Sequence, residues 1–321
     1  MSQEQEGFIA DVWPTGRCDM DCPFCYGADV PIVHSGQPLL YPPTPETISL
    51  TGSNEPRNEV SIDEFKNALR KLKDSGLNKI NIGGGEPLMR SETSEIIRFA
   101  KQDLGLTIYL STNGTFLKRR YDEIKDYIDI LGLPLDGSSP EMNIAVGRRE
   151  YLFTNILSIL TNFKDNPPSH KVKIGTVVSK INLGDLINIG NVLFRNSKIY
   201  KPDIWRVYQF ETLKEGLKNK EMYQISDTEF AKACNEIKRT FPDVAINPRS
   251  NQDHSNAYFF VTPDLMIQTV DNSHKSFADL RTTSQEKLES LIKERTETAH
   301  RAEQNRNWIA PTMANKNEKL I

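Results

Sequence analysis

Cys18-Asp19-Met20-Asp21-Cys22-Pro23-Phe24-Cys25 sets three thiols on one short stretch with the spacing C-x3-C-x2-C. That supplies three thiolates from a single loop, one fewer than closes a tetrahedral zinc or saturates a cubane iron–sulfur cluster. Zinc sites more often draw on two C-x2-C pairs, and no second pair follows here. The fourth cysteine, Cys234, stands far away with no Cys or His beside it. The spacing therefore points to a four-iron cluster with one iron open to a small molecule. Structural zinc is the other reading of the same residues.

Further motifs lie downstream. Asn81-Ile82-Gly83-Gly84-Gly85-Glu86-Pro87 ends one apolar run, and Tyr109-Leu110-Ser111-Thr112-Asn113-Gly114 closes a second. Leu133-Pro134-Leu135-Asp136-Gly137 ends a third, followed by Asn143 and Gly147-Arg148. Taken singly these are ordinary: a glycine-rich turn, a Ser/Asn cap, a solvated arginine. Their order at the ends of successive β-type runs is what carries information.

The cysteine triplet, with Phe24 before its last member, and these three motifs together resemble the radical S-adenosylmethionine (radical SAM) superfamily over residues 18–148. The resemblance implies a [4Fe-4S] cluster on Cys18, Cys22 and Cys25, with S-adenosylmethionine (SAM) chelating the open iron. It also implies reductive cleavage of SAM to a 5′-deoxyadenosyl radical, which abstracts hydrogen from a substrate. SAM contacts are then expected from Phe24, Tyr26, Gly84, Gly85, Glu86, Ser111, Asn113, Asp136 and Arg148. Among these, Glu86 would accept from the SAM amine, and the glycines would let backbone approach the cofactor. Ser111 and Asn113 would face the ribose, and Arg148 would pair with the SAM carboxylate.

The chain has 321 residues and a formal net charge of −3, with both signs interspersed. That balance gives no electrostatic case for nucleic acid or an anionic membrane surface. No apolar run approaches the ~20 residues that span a bilayer, and the polar, acidic start is no secretory signal. Cysteines committed to one motif make no disulfide framework, which is consistent with a reducing cytoplasm.

Apolar β-type runs at Phe8–Trp13, Lys79–Gly83, Leu106–Ser111, Tyr127–Leu133, Val172–Ser179 and Ile204–Phe210 alternate with helical patterns near 62–74, 92–103, 116–126, 150–164 and 184–195. Ser61-Ile62-Asp63-Glu64 reads as a capping box. The alternation predicts right-handed βαβ units and a parallel sheet, and the family resemblance implies a partial parallel (β/α)6 barrel within an α/β fold. We expect this barrel over 1–211 and a C-terminal capping extension over 212–321, with a helix at 227–240 and short strands at 244–247, 257–261 and 265–270. The Pro-, Ser- and Thr-rich loop at 27–60 reads either as a lid over the site or as a surface insertion.

Strand parity sets Lys173 with Gly175, and Arg206 with Tyr208. If those faces point inward, Lys173, Arg206 and Tyr208 converge, and buried cations need an anionic partner. Trp205-Arg206-Val207-Tyr208-Gln209-Phe210, Lys173-Ile174, Gly147-Arg148 and Tyr258 are also similar to viperin-type enzymes. Those enzymes convert a nucleoside triphosphate to its 3′-deoxy-3′,4′-didehydro form. The resemblance implies substrate contacts from Lys173, Arg206, Tyr208 and Tyr258, with Tyr258 also a catalytic candidate. Gly175 and Ile204 depart from the viperin pattern, which has Asn and Arg there. One lost charge in a triphosphate clamp costs about 2–3 kcal/mol, so the expected substrate is either less phosphorylated or not a nucleotide at all.

Residues 247–256 are dense in hydrogen-bonding groups and read either as a cap for a polar substrate or as a solvated turn. Cys234 reads as a core thiol on a helix with Phe230 and Ile237, or as a hydrogen-atom donor. The histidines show no ligand spacing. The expected enzyme takes a small anionic nucleotide- or sugar-type substrate and an electron from a carrier such as flavodoxin or ferredoxin, as a monomer or weak dimer. An epimerase, a peptide-modifying enzyme and a zinc-stabilised module are the alternatives.

Overall fold

The computed structural model describes residues 9–25, 59–251, 259–269 and 276–304. Tyr26, Tyr258, His254 and nearly all of the 27–60 loop lie outside the described residues.

The strands are β1 (Ala10–Thr15), β2 (Lys79–Gly84), β3 (Thr107–Ser111), β4 (Ile130–Pro134), β5 (Lys171–Val178), β6 (Ile204–Gln209), β7 (Ile246–Arg249), β8 (Phe259–Val261), β9 (Met266–Thr269) and β10 (Ser276–Asp279). The main helices are α1 (Ile62–Asp74), α2 (Thr93–Gln102), α3 (Leu117–Ile124), α4 (Pro140–Val146), α5 (Tyr151–Asp165), α6 (Leu186–Gly190), α7 (Asp227–Thr240) and α8 (Gln285–Gln304). Helix α1 begins where its sequence says. Ser61 Oγ accepts from Glu64 N at 3.3 Å, and the Glu64 side chain accepts from Ser61 N at 3.0 Å. Phe65, Ala68, Leu69 and Leu72 form its buried stripe at helical spacing.

All ten strands join one sheet in the order β10-β9-β8-β1-β2-β3-β4-β5-β6-β7. Strands β1 to β7 run parallel, and β8 pairs in parallel with β1. The antiparallel pairs are β8–β9 and β9–β10, so among the described strands β9 alone runs against the rest. The molecule is an α/β protein with a partial barrel, open between β7 and β10. The elements after residue 211 enter this same sheet at both of its edges. Pro248 fits there because β7 is an edge strand, where a missing N–H costs no ladder bond.

Both faces of a parallel sheet are usually apolar, yet here they differ. Ala10, Val12, Ile80, Ile82, Ile108, Leu110, Leu131, Leu133, Val172, Ile174, Trp205 and Val207 are buried on the helix-covered side. The alternate positions include Asp11, Asn81, Gly83, Ser111, Gly132, Lys173, Gly175, Arg206 and Tyr208 beside Tyr109, Ile130, Val177 and Ile204. The inner face thus mixes charge, hydroxyl and open space with apolar residues. Among the described residues no helix is long and apolar enough to cross a membrane.

Candidate active site

Strand β1 delivers the chain directly into the cysteine loop. All three of its cysteines are free thiols, Cys22 buried and Cys18 and Cys25 partly buried. Cys25 N donates to Cys22 O at 3.1 Å, and Met20 N donates to Cys18 Sγ at 3.4 Å. Met20 and Phe24 anchor the loop in the core. Asp19 ties it to two other elements, accepting from Asn113 Nδ2 at 2.6 Å and from Tyr151 OH at 3.1 Å.

The glycine motif meets this loop from below. Gly85 N donates to Thr15 O at 3.1 Å, and Glu86 N donates to Arg17 O at 2.7 Å. A Cβ on Gly85 would overlap the Arg17 carbonyl, and Gly84 has φ +107°, a left-handed conformation suited to glycine. The space that these glycines leave is filled by the strand running into the cysteines.

Glu86 is fully buried. One oxygen accepts from Leu88 N at 3.1 Å and Thr112 Oγ1 at 2.7 Å, and the other accepts from Asn113 N at 2.7 Å. Burial, then the nearby Asp19, pushes its carboxyl up to about 8 against those hydrogen bonds. Glu86 thereby joins the ends of β2 and β3 to each other.

A second buried carboxylate lies beside Cys22. Asp136 is fully buried, accepting from Val177 N at 2.7 Å and from Arg148 Nε at 2.7 Å. Arg148 stacks its guanidinium over Phe24, 4.7 Å from the ring centre, and donates from Nη1 to Cys22 Sγ at 3.2 Å. Gly147 ends α4 with φ +104°, and a Cβ there would lie 2.6 Å from Pro23. This close approach is what aims Arg148 at the loop.

The donor set fits an iron–sulfur cluster. Burial raises the thiol of Cys22 to about 11 despite Arg148, and raises that of Cys18 well above its ordinary value. A thiol as buried as that of Cys22 ionises only when a metal supplies positive charge. Among the described residues no three His, Cys, Asp or Glu converge as one metal ion requires, whereas in a cubane each thiolate takes a different iron. Beside Asp136, Asn143 Nδ2 is buried without a hydrogen-bond partner among the described residues.

The inner face of the sheet carries the second half of the site. Lys173, Arg206 and Arg249 are buried on β5, β6 and β7. Lys173 lies across Gly132, where an added Cβ would sit 2.9 Å from Lys173 Cε. Gly175 likewise makes room for the Tyr208 ring, 3.3 Å from the position of its absent Cβ. Burial would raise the Tyr208 phenol, yet Lys173, Arg206 and Arg249 together bring it below its ordinary value. Opposite them, burial pushes Asp11 up to about 6, with Asn81, Lys173 and Arg206 opposing the rise. Asn81 donates to Asp11 and accepts from Ser111 Oγ at 2.8 Å.

The structure brings together Lys173, Arg206 and Tyr208, and separately Cys22, Phe24, Asp136 and Arg148. It does not bring Cys234 to either group. Helix α7 packs on the Trp205 and Val207 side of β6, through contacts such as Phe241 with Trp205 at 6.2 Å between ring centres. Cys234 is fully buried there, its thiol raised to about 12 by burial. Sequence reasoning missed Asp11 as a site residue, and read Arg249 only as part of a polar stretch. Strand parity at residues 11 and 81 was the signal for the first.

A family profile described as the Radical SAM superfamily matches residues 13–191, more than half of the chain. An S-adenosylmethionine-dependent nucleotide dehydratase of Lacinutrix mariniflava is 27% identical over 257 residues, covering 77% of this chain and 47% of that protein. The S-adenosylmethionine-dependent nucleotide dehydratase RSAD2 of Oncorhynchus mykiss is 26% identical, covering 62% of this chain and 58% of its own length. The chain spans about half the length of these curated relatives. In fold it is similar to Streptococcus suis SuiB bound to S-adenosylmethionine, with a TM-score of 0.63 at 15% identity, over 87% of this chain and 65% of that one.

Proposed function

The chain belongs to the radical SAM superfamily, and on that premise we propose that it removes a hydrogen atom from a small anionic nucleotide- or sugar-type substrate, with elimination to follow. The superfamily works with a [4Fe-4S] cluster and SAM. When bound, the pair supplies the 5′-deoxyadenosyl radical. Every other task falls to the chain.

Cys18, Cys22 and Cys25 are the residues we assign to the cluster. Asp19, Asn113 and Tyr151 hold their loop in place, and the Asp136–Arg148 pair holds Cys22 and Phe24. Glu86 fixes the ends of β2 and β3, so that Ser111 and Asn113 are presented together. The finer reading of the substrate is carried by one observation, the three buried cations Lys173, Arg206 and Arg249 gathered round Tyr208 on the inner face. An incoming phosphate would take charge-assisted hydrogen bonds from these cations while fixing the substrate against the barrel wall. The printed names of the dehydratase relatives support a nucleotide, with dehydration as the outcome. A flavodoxin- or ferredoxin-type carrier is the natural electron source.

The reading is tested by incubating reduced, cluster-loaded protein with SAM and deuterated nucleoside phosphates or nucleotide sugars. Deuterium should appear in 5′-deoxyadenosine with a substrate of this class. Failure of every member to stimulate SAM cleavage above the substrate-free rate contradicts it.

A further inference from the structure

Glu211 is a carboxylate that the assignments above leave unused. Strand β6 ends at Gln209, and β1 to β6 run parallel, so Glu211 stands at the same end of the barrel as the cysteine loop. Strands β2 to β5 separate β1 from β6 in the sheet, yet the chain after β6 meets the β1 side twice. The Phe210 ring centre lies 5.4 Å from that of Tyr223, which lies 5.7 Å from that of Phe24 in the cysteine loop. Leu213 is buried in one apolar cluster with Trp13 of β1 and Phe260 of β8. Residues 210–213 therefore cross the barrel mouth, anchored at both ends, with Glu211 between the anchors. Gly216 packs on this backbone, since a Cβ there would stand 2.8 Å from the Glu211 carbonyl oxygen. The Glu211 side chain has no such anchor. It is partly exposed, and no hydrogen bond or ion pair joins its carboxylate to a described residue. Burial pushes its carboxyl up to about 7. A carboxylate that keeps solvent contact while so desolvated lines a concave surface, with both oxygens left to accept hydrogen bonds.

Resting on the radical SAM reading above, we propose that Glu211 is a ribose-binding residue, its two oxygens accepting from the vicinal hydroxyls of a nucleoside held at the barrel mouth. A planar carboxylate presents two acceptors side by side, and acidic side chains take ribose hydroxyls in dinucleotide-binding folds. Like charge repels a phosphate from the same place, so the acid favours the sugar of a nucleotide and leaves the phosphate to Lys173. Both SAM and a nucleotide substrate carry such a pair of hydroxyls, and the experiment separates the two sources.

Titration calorimetry on cluster-loaded protein tests this, first with SAM and then, with SAM bound, with ribonucleoside 5′-mono- and triphosphates and their 2′-deoxy counterparts. Glu211→Gln keeps the size of the side chain and should weaken one of the two ligands about tenfold, the worth of a hydrogen bond to a charged group. Glu211→Ala should weaken the same ligand at least as much. Weakened SAM assigns the ribose to the cofactor. A lost preference for ribonucleotides over their 2′-deoxy forms, with SAM binding unchanged, assigns it to the substrate. A Gln variant that binds SAM as wild type does, with no change in nucleotide binding, overturns the proposal. A wild type that binds neither SAM nor any nucleotide overturns instead the reading on which it rests.

Discussion

Arg148 Nε lies 2.7 Å from Asp136 Oδ2, and the same guanidinium reaches Cys22 Sγ at 3.2 Å. The carboxylate is fully buried and the arginine side chain only 14% exposed. Removing one partner of such a pair strands the other in the interior, at a cost of about 3–5 kcal/mol. Arg148→Gln and Asp136→Asn should each destabilise the chain on that scale in denaturant unfolding. The double variant should cost well under their sum. Additive losses would mean that the two residues do not act as a pair.

Gly85→Ala should abolish assembly of the cysteine loop. Its methyl would occupy the Arg17 carbonyl, which is backbone and cannot swing aside. Iron and sulfide retained after anaerobic reconstitution is the measurement. Wild-type loading in the Ala variant would show that the strand running into the loop is not packed this way.

Gly132→Ala should displace the Lys173 ammonium with no change of charge. Substrate-dependent SAM cleavage is expected to fall through a raised KM, while slow substrate-free cleavage persists. An unaltered KM would remove Lys173 from the binding face.

Glu86 gives a pH dependence of definite sign. Its carboxyl is raised from 4.5 to about 8, by burial first and Asp19 second. The folded protein therefore holds a proton that the unfolded chain releases above 4.5. The stability associated with that proton is complete below about pH 4.5 and lost as pH rises through about 8. Glu86→Gln cannot titrate, and its amide faces the Asn113 N–H, so it should be less stable than wild type at pH 6 by about 1–3 kcal/mol. The gap should narrow by pH 9 in cluster-free protein. A constant gap would mean that Glu86 is ionised throughout.

Much of this arrangement was legible before any coordinates, and the rest was hidden for identifiable reasons. Alternation of apolar runs with helical patterns marked β1 to β6, because the helix-facing residues of these strands are mostly apolar, with Thr176 and Gln209 as polar exceptions. Residues 244–247 showed β character, but a four-residue strand carrying Pro248 gives no hint that it extends the barrel beside β6. Parity placed Lys173, Arg206 and Tyr208 on common faces. Arg249 escaped because its strand is so short. Asp11 escaped because one acid at the start of a run looks like a solvated end, although parity with Asn81 set it on the inner face. At the glycine motif the sequence did not show that backbone of residues 15–17 packs against Gly84 and Gly85.

Cys234→Ala should leave substrate-dependent SAM cleavage and its product intact, with a stability loss of about 1 kcal/mol from the vacated core position. Lost turnover in a well-folded variant would bring the thiol back as a hydrogen-atom donor.

The central claim is that Cys18, Cys22 and Cys25 hold a cluster with one iron left for SAM. Iron and sulfide analysis of anaerobically reconstituted protein, paired with electron paramagnetic resonance of the reduced state before and after adding SAM, tests it most directly. About four irons and four sulfides per chain are expected, with a spectrum that changes on adding SAM. One bound zinc, no sulfide and no response to SAM would contradict it.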